Sequence, residues 1–253
     1  MFFRIKLNAD QEEIVSFAAK GHNLLITGQA GVGKSEVVKR IIANAKARGR
    51  TIGVICSSGI ACQVYDRGVA STVHSCYGLM TAELPWRQVI ERSLGNSVVC
   101  DRVKALDIII WDEASMSSRR MLELVNVMHH KLAEGLSRMY LFAGKQLILV
   151  GEYLQLQPVP NMFDEGCYMF ETPLFDFAIS HRFGLTKVMR QSQEDQQFLK
   201  ALSKIRMGQC SNLCCLATSS LVMYRLFVLG CTILPNSIFL LFLCLLFNFI
   251  LVH

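Results

Sequence analysis

The 253-residue chain is poor in charge: only 18% of its residues are Asp, Glu, Lys or Arg, against 52% hydrophobic. A largely disordered chain is thereby excluded, because such chains combine low hydrophobicity with dense charge. Proline is scarce, with five residues. The opening MFFRIKLNADQEE lacks the apolar run of about 7–15 residues that a secretory signal needs, so none is expected. Ten cysteines are present, yet no pair of CxxC motifs, and a zinc site is not expected. Reduced, mostly buried thiols inside a cell are the plain reading. The net charge of +6 is mild; it is compatible with nucleic acid without arguing for it.

The sharpest absence is local. Residues 211–253 carry one formal charge, Arg225, whereas residues 1–210 hold 25 of the 26 basic residues and all 20 acidic ones. Two pieces of different character follow, 1–210 and 211–253. Leu226 to Val252 is 27 residues without a charge, interrupted by Pro235, Asn236 and Ser237. As a helix it would reach about 40 Å, against a hydrocarbon core of roughly 30 Å. It reads either as a membrane segment with a proline kink or as non-native read-through, for instance an unspliced intron.

In the first piece, short apolar runs alternate with helical stretches. Asn23–Thr27, Thr51–Cys56, Asp107–Trp111 and Gln146–Val150 read as buried strands, and Ser35–Ala47 and Met121–Leu136 as helices. Strands apolar on both faces, alternating with helices, predict an α/β fold: a mostly parallel sheet covered on both sides. Residues 158–180 read as an irregular insertion.

Residues 28–35, GQAGVGKS, match GxxxxGK[ST] after a strand and before a helix, the context that motif requires. Gly28, Gly31 and Gly33 let the backbone curl so that its N–H groups and the helix N-terminus form an anion cradle. Lys34 would reach the β- and γ-phosphates, and the Ser35 hydroxyl would ligate Mg²⁺. Asp112 and Glu113 close the strand DIIIW. The first carboxylate suits the metal's water shell and the second suits polarisation of an attacking water.

Together with their surroundings, these motifs resemble the Pif family of ATP-dependent DNA helicases of superfamily one, which includes helicases of Helitron-type mobile elements. The resemblance covers about residues 7–209. LNADQ, ending at Gln11, is similar to the adenine-recognition segment. TIGVICSSGIACQV and STVHS (Ser71–Ser75) are similar to the stretch that touches single-stranded DNA. WDEASM is similar to the Mg²⁺ and water-activating motif. GKQLILVGEYLQLQPV carries Gln155, implied to sense the γ-phosphate. FETPLF is a further landmark, and LTKVMRQSQEDQQFLKALSKIRMG carries Arg190, implied to contact the γ-phosphate.

The resemblance implies a RecA-like motor domain at 1–210, the first of two. It also implies ATP and Mg²⁺ as cofactors and single-stranded and duplex DNA as partners. It further implies 5′-to-3′ unwinding in DNA repair, recombination and telomere maintenance, within the nucleus or the mitochondrion. Two departures stand out: Glu152 where the family has Asp, and Gln157 where a proline is expected. Nothing after Gly208 resembles the second RecA-like domain, so slow hydrolysis without translocation is the expectation for this chain. The alternatives are a non-catalytic nucleotide- or DNA-binding fragment, attached to a membrane if the tail is a membrane segment, and an ATPase acting on another substrate.

Overall fold

The computed structural model describes residues 6–29, 31–79, 84–154 and 156–187. All of them belong to one compact unit, Met1–Met189. Gln155, Arg190 and the whole segment 211–253 lie outside the described residues.

The chain runs α1 (Ala9–Ala19), β1 (Leu24–Gly28), α2 (Lys34–Ala47), β2 (Ile52–Cys56), α3 (Gly59–Cys62), β3 (Ala70–Thr72), α4 (Val73–Tyr77), α5 (Trp86–Leu94), α6 (Ser97–Ala105), β4 (Ile108–Asp112), α7 (Arg119–Leu132), β5 (Gln146–Gly151), α8 (Pro173–Ala178) and β6 (His181–Leu185). The strands form one sheet in the order β3-β2-β4-β5-β1-β6. Every pairing is parallel. The strand runs, the helical stretches and the parallel α/β expectation are all met to within a residue or two, with one exception at the end of α7.

Side-chain alternation explains why both faces are covered. In β4, Ile109 and Trp111 enter one core with Leu147 and Leu149 of β5, while Ile108 and Ile110 enter the other with Ile148 and Val150. The first core is closed by α4 to α8 and the second by α1, α2 and α3. A strand with apolar residues on both faces is stable only when layered on both sides.

Helix α7 ends earlier than the pattern predicts, at Leu132 rather than Leu136. Ala133 is extended, and Gly135 takes φ 57°, which turns the chain out of the helix into a 3₁₀ turn at Gly135–Met139. Segment 158–180 is not wholly irregular: it contains a 3₁₀ turn at Met169–Glu171 and then α8, with Pro173 in its first turn. Among the described residues no helix is long and apolar enough to cross a membrane.

Candidate active site

The parallel sheet brings the chemistry-bearing residues to one edge. Gly28 ends β1, Asp112 ends β4, and β5 lies between them and ends at Gly151. With strands about 4.8 Å apart, the ends of β1 and β4 sit about 10 Å from each other. Ligands of open α/β sheets bind outside these carboxyl ends.

The loop after β1 is shaped by its glycines. Gly31 and Gly33 take φ 85° and 87°, where a side chain is strained. At Gly28, with φ 150°, an added Cβ would lie 2.5 Å from the Leu185 carbonyl oxygen and 2.9 Å from Val32 Cγ2. Gly33 caps α2 without a side-chain hydrogen bond. The first amides of a 14-residue helix are therefore left facing the loop, an arrangement suited to an anion. The Lys34 ammonium donates to the Gly28 carbonyl and, at 3.1 Å, to the Gln29 carbonyl, so it lies over the curl. Ser35 follows it in the first turn of α2.

Gln11 is buried, and its side-chain amide N–H donates to the Val32 carbonyl at 3.0 Å. Its Oε1 accepts from the Asn8 amide at 3.0 Å while the Asn8 side chain accepts from the Gln11 amide, a complete capping box for α1. The structure thus brings Gln11 to the phosphate loop, where it ties α1 to that loop's backbone.

The opposite side of the site is built from side chains. Asp112 Oδ2 accepts from the Tyr65 hydroxyl at 2.6 Å, and its Oδ1 accepts from the Glu113 amide at 2.9 Å. Burial, then the neighbouring Asp112 charge, push the Tyr65 phenol well above its ordinary value, so it remains a donor. Cys56, in register with Asp112 across β2 and β4, is likewise pushed up by burial and stays a neutral thiol.

Glu113 has left-handed backbone angles, φ 52° and ψ 38°. Two serines from the end of β2 hold it there. Ser57 Oγ donates to the Glu113 carbonyl at 2.7 Å, and Ser58 Oγ donates to Glu113 Oε2 at 2.9 Å. The single Ser57 hydroxyl proton is thereby used, so the Ser117 hydroxyl, 2.6 Å away, donates to Ser57. Gly151 completes the fit. A Cβ there would stand 3.1 Å from the Ser115 amide nitrogen, and the absence of one lets the turn after Glu113 close on β5. Glu152 is buried immediately beyond.

Sequence reasoning located the loop and the acidic pair. It missed Tyr65 and the roles of Ser57 and Ser58, although both serines lie in the stretch assigned to DNA contact. The residues present suit Mg²⁺: a hydroxyl and a carboxylate are hard oxygen donors. Among the described residues no group of three or more His, Cys, Asp or Glu could hold a metal by itself. A magnesium ion held by one or two protein oxygens together with substrate phosphates and water needs no such group.

A cleft of about 370 Å³ lies at the other edge of the sheet, between α1, α2 and the starts of β4 and β5. Its cations are engaged, Arg48 with the Ala19 carbonyl, Arg50 with Asp107 at 3.8 Å and Lys20 over the Phe17 ring. None of its lining residues among the described ones belongs to the phosphate loop.

A parallel sheet with a glycine-shaped loop before a helix, and an acidic pair two strands away, defines a phosphate-loop nucleotide-binding domain. The chain belongs to the PIF1-like helicase family, whose pattern it matches over residues 6–214. It is 27% identical over 207 residues to the human ATP-dependent DNA helicase PIF1, covering 82% of this chain and 31% of that protein. To the Emericella nidulans ATP-dependent DNA helicase PIF1 it is 29% identical over 198 residues, covering 76% of this chain and 25% of that protein. The crystal structure of Pif1 helicase from Candida albicans superposes with a TM-score of 0.74 at 26% identity, covering 86% of this chain and 48% of that one. The chain therefore spans between a quarter and a third of the length of these curated relatives.

Proposed function

We propose that residues 1–210 are the first RecA-like motor domain of an ATP-dependent DNA helicase. The observation that carries this is the convergence of the phosphate loop and the Asp112–Glu113 pair on one edge of one parallel sheet, in a chain similar to proteins named ATP-dependent DNA helicase PIF1. Gly28, Gly31, Gly33 and the first amides of α2 hold the phosphates, and Lys34 supplies positive charge to them. Ser35 and Asp112 hold Mg²⁺, which when bound neutralises phosphate charge. Glu113 orients and polarises the attacking water. Gln11 reads the adenine edge, and Gln155 and Arg190 read the γ-phosphate. Phosphoryl transfer asks mainly for positioning and electrostatic stabilisation, which these groups supply.

The partners are single-stranded and duplex DNA. The direction is 5′ to 3′, and the processes are repair, recombination and telomere maintenance in the nucleus or mitochondrion; these terms rest on family membership alone. The membrane reading of 211–253 rests on composition alone.

ATP turnover with and without single-stranded DNA tests the reading. A DNA-stimulated rate that collapses in Lys34→Ala supports the motor. Tight nucleotide binding without turnover supports a non-catalytic nucleotide- or DNA-binding fragment. Turnover with no salt-dependent affinity for single strands supports an ATPase with another substrate.

A further inference from the structure

The hydroxyl that meets the Glu113 carboxylate comes from the turn between β2 and α3. Ser58 Oγ accepts from the Ala61 amide at 3.2 Å, capping α3, and donates its one proton to Glu113 Oε2 at 2.9 Å. Both halves of the hydroxyl are therefore in use, and the direction of the proton is fixed toward the carboxylate. Ser57, next to it, holds the Glu113 carbonyl. Glu113 is thus gripped at its backbone and at its side chain from the same two-residue exit of β2. Its left-handed backbone, costly for a residue with a side chain, is over-determined in this way.

We infer that Ser58 is a positioning residue for Glu113, setting the orientation of the carboxylate that polarises the attacking water. The inference deepens the proposed ATP-hydrolysing role and rests on it. It assigns Ser58 a task distinct from contact with nucleic acid. Because the same hydroxyl caps α3, any displacement of that helix moves the donor relative to the carboxylate. A carboxylate displaced by about 1 Å loses much of its catalytic effect, while nucleotide affinity, set by the loop on the far side of β5, does not change.

The test is steady-state ATP turnover of the full chain and of Ser58→Ala, Ser58→Thr, Ser58→Asp and Glu113→Gln, with binding of a fluorescent ATP analogue measured in parallel. Ser58→Ala is expected to lower kcat about tenfold or more with KM and analogue affinity changed less than twofold. Ser58→Thr keeps donor and cap and should stay within threefold of the parent. Ser58→Asp keeps an acceptor for the Ala61 amide but has no proton for Glu113, and should be as slow as Ser58→Ala. If Ser58→Asp turns over like the parent, the hydroxyl is only a helix cap and the inference is overturned. Ser58→Ala at the parent rate, with Glu113→Gln inactive, overturns the inference and leaves the proposed role of Glu113 standing. A parent chain no faster than Glu113→Gln overturns that role and the inference together.

Discussion

The two walls of the site are made by different means. The phosphate-loop wall is backbone: glycines at positive φ, helix amides, and a lysine folded over carbonyls of its own loop. The acidic wall is side chain: Tyr65 on Asp112, Ser58 on the Glu113 carboxylate, Ser57 on its carbonyl. A wall of the first kind is written in eight consecutive residues. A wall of the second kind is assembled from strands whose residues stand some 50 positions apart. The first should therefore fail abruptly when one atom is added, and the second gradually, one hydrogen bond at a time.

The largest effect should come from adding that atom. Gly28→Ala sets a Cβ against the Leu185 carbonyl oxygen at 2.5 Å, where only backbone movement can relieve it. We expect a loss of about 3 kcal/mol or more in urea denaturation, together with lost nucleotide binding. Lys34→Ala separates binding from folding within the same wall: affinity for ATP should fall about 100-fold while stability stays within about 1 kcal/mol.

The side-chain wall should respond less. Tyr65→Phe removes a hydrogen bond to a carboxylate and should cost about 2 kcal/mol, with turnover reduced several-fold and nucleotide affinity retained. A Tyr65→Phe protein that loses nucleotide binding outright would erase the distinction between the walls. Gln11→Leu leaves the Val32 carbonyl and the Asn8 amide without their partner, for about 1.5 kcal/mol. Unlike Tyr65→Phe, it should weaken nucleotide binding, because its bond reaches the loop.

The effect that is smallest at neutral pH lies away from both walls and serves as their control. His129 is buried within hydrogen-bond distance of the Tyr77 hydroxyl, 2.9 Å from it, and burial lowers its pKa from 6.5 to about 3. Below pH 6.5 the unfolded chain binds a proton that the folded chain refuses. Stability should therefore fall as pH drops from about 6.5 towards 3, by about 1 kcal/mol per pH unit. Replacing His129 with Gln should flatten that slope in denaturation curves without changing the pH dependence of nucleotide binding.

The same contrast explains what was legible in the sequence. Strands such as Ile108–Asp112 and Gln146–Gly151 were readable because each holds four consecutive large apolar residues, and a two-sided core demands that. The phosphate loop was readable because its geometry admits few residue types. Strand β6 was not: His181–Leu185 has an apolar residue only at Phe183 and Leu185, and its place beside β1 comes from backbone pairing. Helix α1 carries its start signal in Asn8 and Gln11, yet its burial depends on α2 and β6. Tyr65 could not be assigned in advance, since only the pairing of β2 with β4 brings the segment beyond Cys56 over Asp112. Gly135 did carry a signal, a helix-ending glycine, that apolar spacing alone overran.

The central claim is that the two walls act on one metal–triphosphate. It is tested most directly by the affinity of an ATP analogue with and without Mg²⁺, measured in the parent chain, Ser35→Ala, Asp112→Asn and the double variant. The account predicts that Mg²⁺ tightens binding at least tenfold in the parent, that each single replacement removes most of that gain, and that the double variant loses no more than either single one. An Asp112→Asn protein in which Mg²⁺ tightens binding as fully as in the parent would contradict it.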